Sequence, residues 1–486
     1  MKKYIQLLFL CCLPMALFGQ IEKKTLSLSE AVALAQSETP DALLAETRLS
    51  NRKWFYESFL AGYKPQITFD GTLPEFNRTV ERLALPDGIT FFGRTDLFTS
   101  AGLTLSQNIS KTGGAVFATT QLQRLDVFTG PSKGTQYFST PFIVGFNQPL
   151  FGYNNLKWNK KIEPLRYEEA TKSFAEEMEG LAFQSVELFF SVLTQQLNVE
   201  AAIRNKSNAD SLFSISKGRF EVGRIAETEL LQIELSAMNA NANLAQTSLN
   251  LQNATERFRN FLGLKNAVEF NLEPPTQLPE FIISPDDAVH FAMAHRSEVT
   301  GFRRRLMEAE ANVSEAKANA GPQVNVNGRV GLSRTTDQLR SAFSNPIDNE
   351  RVALNLSFPI ADWGAGKAQL KVAQSNRELE QLNVEQERIN FEQEIKLNVR
   401  QFDLVRNQVA LSKRAYDVAI KREDFTRKRY YIGKIGITDL NLAVNDSEAA
   451  RSTYIQSLRN FWLALYEIRR VTLYDFEEQR PLVGKN

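Results

Sequence analysis

The chain has 486 residues, 43% of them hydrophobic and 23% charged, with a formal net charge of +1. That length suits two or three ordinary domains, and the near-neutral balance removes the electrostatic case for a nucleic-acid partner. The two cysteines, Cys11 and Cys12, both lie in an N-terminal apolar run, so once that run is removed disulfides and thiolate metal sites are excluded.

Met1-Lys2-Lys3 followed by Ile5 to Phe18 reads as a secretory signal over residues 1–19, with Gly19 as the last residue before cleavage. Leu10 is too large for the small residue expected before a lipidated cysteine, so neither cysteine reads as an anchor. Beyond the signal there is no run of about 18 uncharged apolar residues. A membrane-spanning helix is therefore not expected, and only β-strands are left to cross a bilayer.

Ser27 and Glu30 form a capping-box pattern, and a helix is predicted from there to about Gly62, with Ala31, Leu34, Ala35, Ala42 and Ala45 on neighbouring faces. Pro65-Gln66 then opens an alternating segment, Ile67 to Leu73. Two further alternating runs, Thr99 to Ile109 and Ala115 to Leu125, are separated by Ser-Lys-Thr-Gly-Gly turn chemistry. A fourth, Pro141 to Gln148, is ended by Pro149. The inner runs are about 11 residues each, the length a tilted strand needs to cross the hydrocarbon layer.

Helical pattern follows, interrupted by Pro164, Gly180 and Gly218, until a reversal at Arg219-Phe-Glu-Val-Gly223-Arg-Ile-Ala-Glu-Thr228-Glu229-Leu230. Arg224 to Leu262 is free of glycine and proline. Within it Leu230, Ala237, Leu244, Leu251 and Phe258 recur every seventh position, beside Ile233, Ala240, Thr247, Ala254 and Phe261. Such a repeat implies left-handed supercoiling. The stretch Ala237 to Ala245 is too polar for a dry core and too small for a free surface, which fits close helix approach beside water.

The pattern then returns. A helix is predicted over Pro285 to Ala320, strands over Val324 to Val330 and Arg351 to Phe358, and a long helix from near Gly364. Between Gly366 and Gly433 there is neither glycine nor proline, so an unbroken helix there would reach on the order of 100 Å at 1.5 Å per residue. It ends at a second reversal, Arg429-Tyr430-Tyr-Ile-Gly433-Lys-Ile-Gly-Ile-Thr438-Asp439-Leu440. Gly223 and Gly433 are separated by the same interval as Pro149 and Pro359, whereas Pro65 and Pro322 lie further apart. Two constant offsets mean two aligned copies with one insertion between Pro65 and Pro149, which reads as an extra hairpin. The division is a first repeat over 20–264, a linker over 265–284, a second repeat over 285–473 and a charged tail over 474–486, either loose or packed on the helical midsection.

This arrangement, and above all the two reversal motifs with Gln148-Pro149 and Phe358-Pro359, resembles the TolC-type outer membrane efflux family over nearly the whole mature chain. The resemblance implies an α+β membrane protein, a homotrimer whose strands close one transmembrane β-barrel in outer membrane lipid. The barrel is continued by a long α-helical, coiled-coil barrel in the periplasm. Members with two hairpins make a 12-stranded barrel, so the extra hairpin here leaves two options, an 18-stranded barrel or a hairpin folded outside the membrane as a cap. The resemblance also implies a passive exit duct for small toxic molecules, whose partners are a periplasmic adaptor and an inner-membrane pump that supplies the energy. No enzyme activity and no cofactor are implied.

By the same resemblance the reversals carry the adaptor-docking tip, with Arg219, Gly223, Thr228, Arg429, Gly433 and Thr438 as its positions. Read from the residues alone, Thr228 and Thr438 would cap the returning helices, with Glu229 and Asp439 at their positive ends. In the family acidic rings line the aperture. Asp439 matches one ring, while the second acidic position is Leu442 here. Tyr430 and Glu229 fall on a closing link between the reversals, but the arginine of that link is replaced by Ile435, which leaves Lys434 as a substitute. The competing reading is an exported coiled-coil scaffold without a pore. An exported enzyme finds no support, since His290 and His295 lie five apart, off a shared helix face, and no phosphate loop or serine elbow is present.

Overall fold

The computed structural model describes residues 22–85, 88–130, 133–264, 268–275 and 277–484. The signal expected over 1–19 lies outside them. Among the described residues no helix is long and apolar enough to cross a membrane. The chain divides into two compact units, one of Thr47–Ser173 with Met293–Glu394, the other of Met1–Glu46, Phe174–Ala292 and Ile395–Asn486.

In chain order the elements are β1 (Glu22–Leu26), α1 (Leu28–Glu38), α2 (Pro40–Ala61), β2 (Gln66–Leu85), β3 (Gly88–Ile109), β4 (Gly114–Thr129), β5 (Gly134–Pro149), α3 (Asn155–Glu221) and α4 (Glu227–Phe261). Then come β6 (Val268–Leu272), α5 (Pro285–His295), α6 (Ser297–Asn319), β7 (Gln323–Thr336), β8 (Ile347–Ser357), α7 (Ala365–Tyr431), α8 (Ile437–Thr472), β9 (Tyr474–Asp475) and β10 (Arg480–Pro481). The capping box at Ser27 and Glu30 is formed in both directions. The helix expected to run on to Gly62 instead breaks at Thr39, held extended because Pro40 disfavours the helical region for the residue before it. A matching break at Arg296 separates α5 from α6. The interruptions expected at Pro164, Gly180 and Gly218 do not occur, and α3 runs unbroken for 67 residues. Each such residue costs a helix about 1–3 kcal/mol. Burial of Val186, Phe189, Phe190 and Leu193 on the same helix outweighs it.

The strand unit holds one antiparallel sheet in the order β2-β3-β4-β5-β7-β8. Its strands reach 20 and 22 residues in β2 and β3, well beyond the alternating runs, and β2 and β5 each absorb a proline at a register shift. Pro74 falls in the shift between Thr72 and Glu75, and Pro141 in that between Ser139 and Phe142. Residues opposite one another in a ladder share a face. One row runs Ile67, Leu105, Ala118, Val144, Val330 from strand to strand, and Val326 and Val324 continue it beside Leu354 and Leu356. The other face carries Thr68, Thr104 and Thr119 in one row and Asn325 beside Asn355 in another. The apolar face is bare, with Phe69 70% and Val352 80% exposed. In the same unit α2, α3, α6 and α7 are laced together by Arg52–Glu163, Arg166–Glu308, Arg304–Glu169 and Arg305–Glu380 ion pairs and by a Tyr56–Tyr167 stack at 5.0 Å.

The second unit has its core around Phe189, Phe190, Phe258, Phe402 and Phe461, all fully buried. β1 and β6 pair in parallel, and the Gln196 side chain meets the pair by donating to the Phe270 carbonyl and accepting from the Leu272 amide. The tail, left open by the sequence, is packed. Asp475 is buried and pairs with Arg469 at 3.0 Å, while Arg469 also meets Glu179 at 3.2 Å. Phe291 stacks on Tyr474 at 3.8 Å, and Leu482 donates its amide to the Leu473 carbonyl.

In this unit α7 buries Ile395, Val399, Phe402, Val405 and Val409 along one seam. A second apolar line on α7, Leu397, Leu404, Leu411, Val418 and Phe425, continued by Ile432 just past the helix end, recurs every seventh residue and stays exposed. On α4, Leu231, Leu235, Met238 and Leu249 form another exposed line, whereas Ile233, Ala254 and Phe258 of the sequence-derived heptads are buried.

Tyr466, close to Arg469, has its phenol pushed by burial from 10.0 up to about 12. A raised acid pKa leaves stability intact below the unfolded value and erodes it as pH rises through the window between the two. The melting temperature is expected to fall as pH climbs from 10.0 towards about 12, and Tyr466→Phe to reduce that fall. Parallel thermal melts in detergent check it.

Candidate functional site

The two helical reversals share one backbone design. At the first, the Gly223 amide donates to the Phe220 carbonyl at 2.8 Å and the Arg224 amide to the Arg219 carbonyl at 2.8 Å. At the second, Gly433 donates to Tyr430 at 2.9 Å and Lys434 to Arg429 at 3.0 Å. This pair of bonds closes a helix C-terminus through a residue in the left-handed region, and Gly223 and Gly433 have φ of 69° and 72°. The conformation requires glycine sterically, which is why the motif is visible in sequence. Gly263, after α4, repeats it.

The returning helices start one residue or more before the expected caps. Ala226 and Gly436 are the N-cap residues, and neither helix has a side-chain cap. Thr228 and Thr438 lie inside the first turn and are exposed, so the capping role expected of them is corrected. The tight glycine turn brings the Ala226 carbonyl into place to accept from Glu229 and Leu230, starting the helix one position before the threonine. The carboxylates do stand in the first turn, Glu229 with Glu227 on α4 and Asp439 on α8, where the helix dipole favours negative charge. Asp439 is exposed and Glu229 half-buried.

Tyr430 is buried in a small apolar cluster with Ile437, Leu440 and Ile233, against which Leu212, Phe213, Ile435 and Val444 pack. The ends of both hairpins thus share one core. Ile435 supplies packing where the resemblance implies an arginine. Arg219 is half-buried, and Arg429, Gly223 and Gly433 are exposed. Nearby ion pairs run Arg422 to Asp446 at 2.5 Å and Lys428 to Asp424 at 2.6 Å.

Next to this cluster lies a cavity of about 390 Å³ lined by Asn205, Asn208, Asn239, Asn243, Asn441 and Asn445 from α3, α4 and α8. Asn239, Ala240 and Asn243 belong to the small, amide-rich stretch that reads in sequence as close helix approach beside water. Sequence reasoning missed the facing asparagines and the exposed line of α7. The α7 line could have been found by extending the seven-residue count to positions outside the buried seam, whereas the asparagines come from three helices far apart in the chain. Among the described residues no group of three or more His, Cys, Asp or Glu is arranged to hold a metal.

An α+β chain with a six-stranded antiparallel sheet, one face bare and apolar, and two glycine-turned long helical hairpins has the architecture of an outer membrane channel protomer. The family model described as Outer membrane efflux protein matches residues 93–264 and 289–472, and the chain belongs to that family. Its family and structural neighbours are channel proteins, not enzymes. Toxin and drug export protein A of Aggregatibacter actinomycetemcomitans is 21% identical over 60% of this chain, and the match spans 64% of that relative's length, a little under two thirds. The outer membrane efflux protein BepC of Brucella suis biovar 1 is 21% identical over 71% of this chain and 75% of its own. In fold, the CmeC outer membrane channel of Campylobacter jejuni superposes with a TM-score of 0.64 at 15% identity, covering 92% of this chain and 85% of CmeC. The outer membrane protein VceC of Vibrio cholerae gives 0.65 at 14%, covering 92% and 96%.

Replacing Gly433 by alanine forces a side chain into the left-handed region, and Gly433→Ala is expected to cost about 1 kcal/mol. The equivalent substitution at exposed Lys434 should cost far less. Denaturant melts of the two variants compare them.

Proposed function

We propose that this chain is the outer membrane duct of a tripartite export assembly, with three copies closing one barrel that passes cargo delivered by an inner-membrane pump through a periplasmic adaptor. The observation that carries the proposal is the sheet. Among the described residues its outer strands β2 and β8 have no partner on their far sides, and its apolar face is exposed. In lipid, every backbone group must be bonded, so an open six-stranded sheet is not viable and closure with further copies is required. Successive neighbours are antiparallel across six strands, so β2 and β8 run in opposite directions and β8 of one copy can pair antiparallel with β2 of the next. Because all six strands lie in one continuous ladder, three copies would supply 18 strands, which favours the wider barrel over a hairpin folded outside the membrane as a cap. A barrel of 16–18 strands leaves an aqueous channel.

The exposed lines of α7 and α4 support the same assembly. Five large apolar residues in perfect sevenfold register on α7, continued by Ile432 just past its end, have no cover among the described residues, and α4 carries a second exposed line. Facing lines on adjacent copies would form the left-handed seams of a helical barrel. The soluble-scaffold alternative would leave both these lines and the sheet's apolar face in water. At the reversals, Arg219, Gly223, Thr228, Arg429, Gly433 and Thr438 would form the docking rim for the adaptor, with Glu229 and Asp439 at the aperture and Tyr430 fixing the hairpin ends through its cluster. Small toxic compounds are the proposed cargo, in keeping with the name of the toxin and drug export relative.

Outer membrane fractions are expected to show a heat-modifiable trimer band, and purified material to conduct in planar bilayers. A soluble periplasmic monomer would overturn the proposal. Leu404→Glu combined with Leu411→Glu should abolish the trimer band, since each buried leucine is worth about 1.5–3 kcal/mol. Single-channel recordings of Asp439→Ala and Glu229→Ala test the aperture: a change in conductance or cation preference is expected, and unchanged values would remove both residues from it.

A further inference from the structure

The polar face of the sheet contains a feature that strand packing does not account for. Arg329 on β7 lies directly opposite Arg351 on β8. Like charges in opposed positions destabilise a sheet. Both side chains are exposed, and among the described residues neither has a carboxylate within ion-pair distance. The row that holds them runs on to Gly145 of β5 and Phe117 of β4. Gly145 leaves that row hollow, and the Phe117 ring lies over it so closely that a Cβ there would sit 2.5 Å from the ring. A cavity of about 370 Å³ results, lined by Phe117, Arg329, Arg351 and the amides of Asn147, Asn327 and Asn355. Asp70 on β2 lies on this side of the sheet, in a different row from the arginines.

Two guanidinium groups, three amide side chains and an aromatic ring around one hollow form a recognisable chemistry. Guanidinium forks bind carboxylate and sulfonate oxygens, and the ring offers an apolar surface to the body of the same molecule. We infer that this hollow is a binding site for organic anions with an aromatic or apolar body, placed on the lumen side of the barrel and repeated once per copy. The inference rests on the duct reading, because only closure turns the polar face inward. It assigns the duct a cargo contact of its own: an amphiphilic anion passing through would exchange between three such sites instead of crossing an indifferent water column.

The test is block of potassium chloride conductance in planar bilayers by 1-naphthalenesulfonate, with tetraethylammonium as the cationic control. Wild-type channels should be blocked by the sulfonate and not by the cation. Arg329→Gln with Arg351→Gln should weaken the block roughly tenfold, as expected for loss of charge-assisted hydrogen bonds, while Arg329→Lys with Arg351→Lys should retain most of it. Phe117→Ala should weaken block by naphthalenesulfonate more than block by inorganic sulfate. Equal block of wild type and the double glutamine variant, with both giving trimer bands, would overturn the site and leave the duct reading standing. Absence of conductance in the wild type would overturn the duct reading and the site together.

Discussion

Backbone hydrogen bonding at the borders of the sheet is the constraint on which the rest depends. Water satisfies an open strand edge without cost, but hydrocarbon does not. A sheet that presents leucine, valine and phenylalanine on one face and asparagine, threonine and arginine on the other suits the setting proposed for it, with lipid outside and water inside. The helical hairpins meet the same demand in another form. Their buried seams are satisfied within the chain around Phe402, Phe461 and the Tyr430 cluster, whereas the second lines on α7 and α4 stay exposed and would be covered in the proposed assembly.

The helical unit holds itself together with few buried charges, and these are paired. Arg469 sits between Glu179 and Asp475, with all three side chains at least four-fifths buried. Breaking such a group by removing one member leaves an uncompensated charge in the core, a penalty of several kcal/mol. The arrangement ties α3, α8 and the tail to one another. A tail that looks merely charged in sequence is therefore structural, through Asp475 and Leu482.

How much of this was legible depended on whether a residue's role was local. Gly223 and Gly433 announce themselves because only glycine accepts the backbone conformation they adopt, and the capping box at Ser27 is equally self-contained. Strand cores around Ile67, Val144 and Leu354 were legible from alternation. Strand ends were not, because Pro74 lies just past the first alternating run and Pro141 opens the fourth, and both are absorbed inside longer strands through bulges that depend on neighbouring strands. Pro164, Gly180 and Gly218 misled in the same way, since propensity is weak beside the packing of a 67-residue helix. Thr228 and Thr438 failed as caps by a shift of two positions, within the ordinary uncertainty of a helix boundary. The asparagine-lined cavity and the opposed arginines were invisible, because each joins residues from strands or helices far apart in the chain.

The even number of strands per copy has an evolutionary consequence. A hairpin adds two strands, so it leaves the first and last borders pointing in opposite directions, and the joint between neighbouring copies is undisturbed. In the proposed ring, lumen diameter could therefore grow by insertion of single hairpins without a change in the number of copies. A lone additional strand would reverse one border and make every seam in the ring parallel, which is why bore in such a design is expected to change in paired steps.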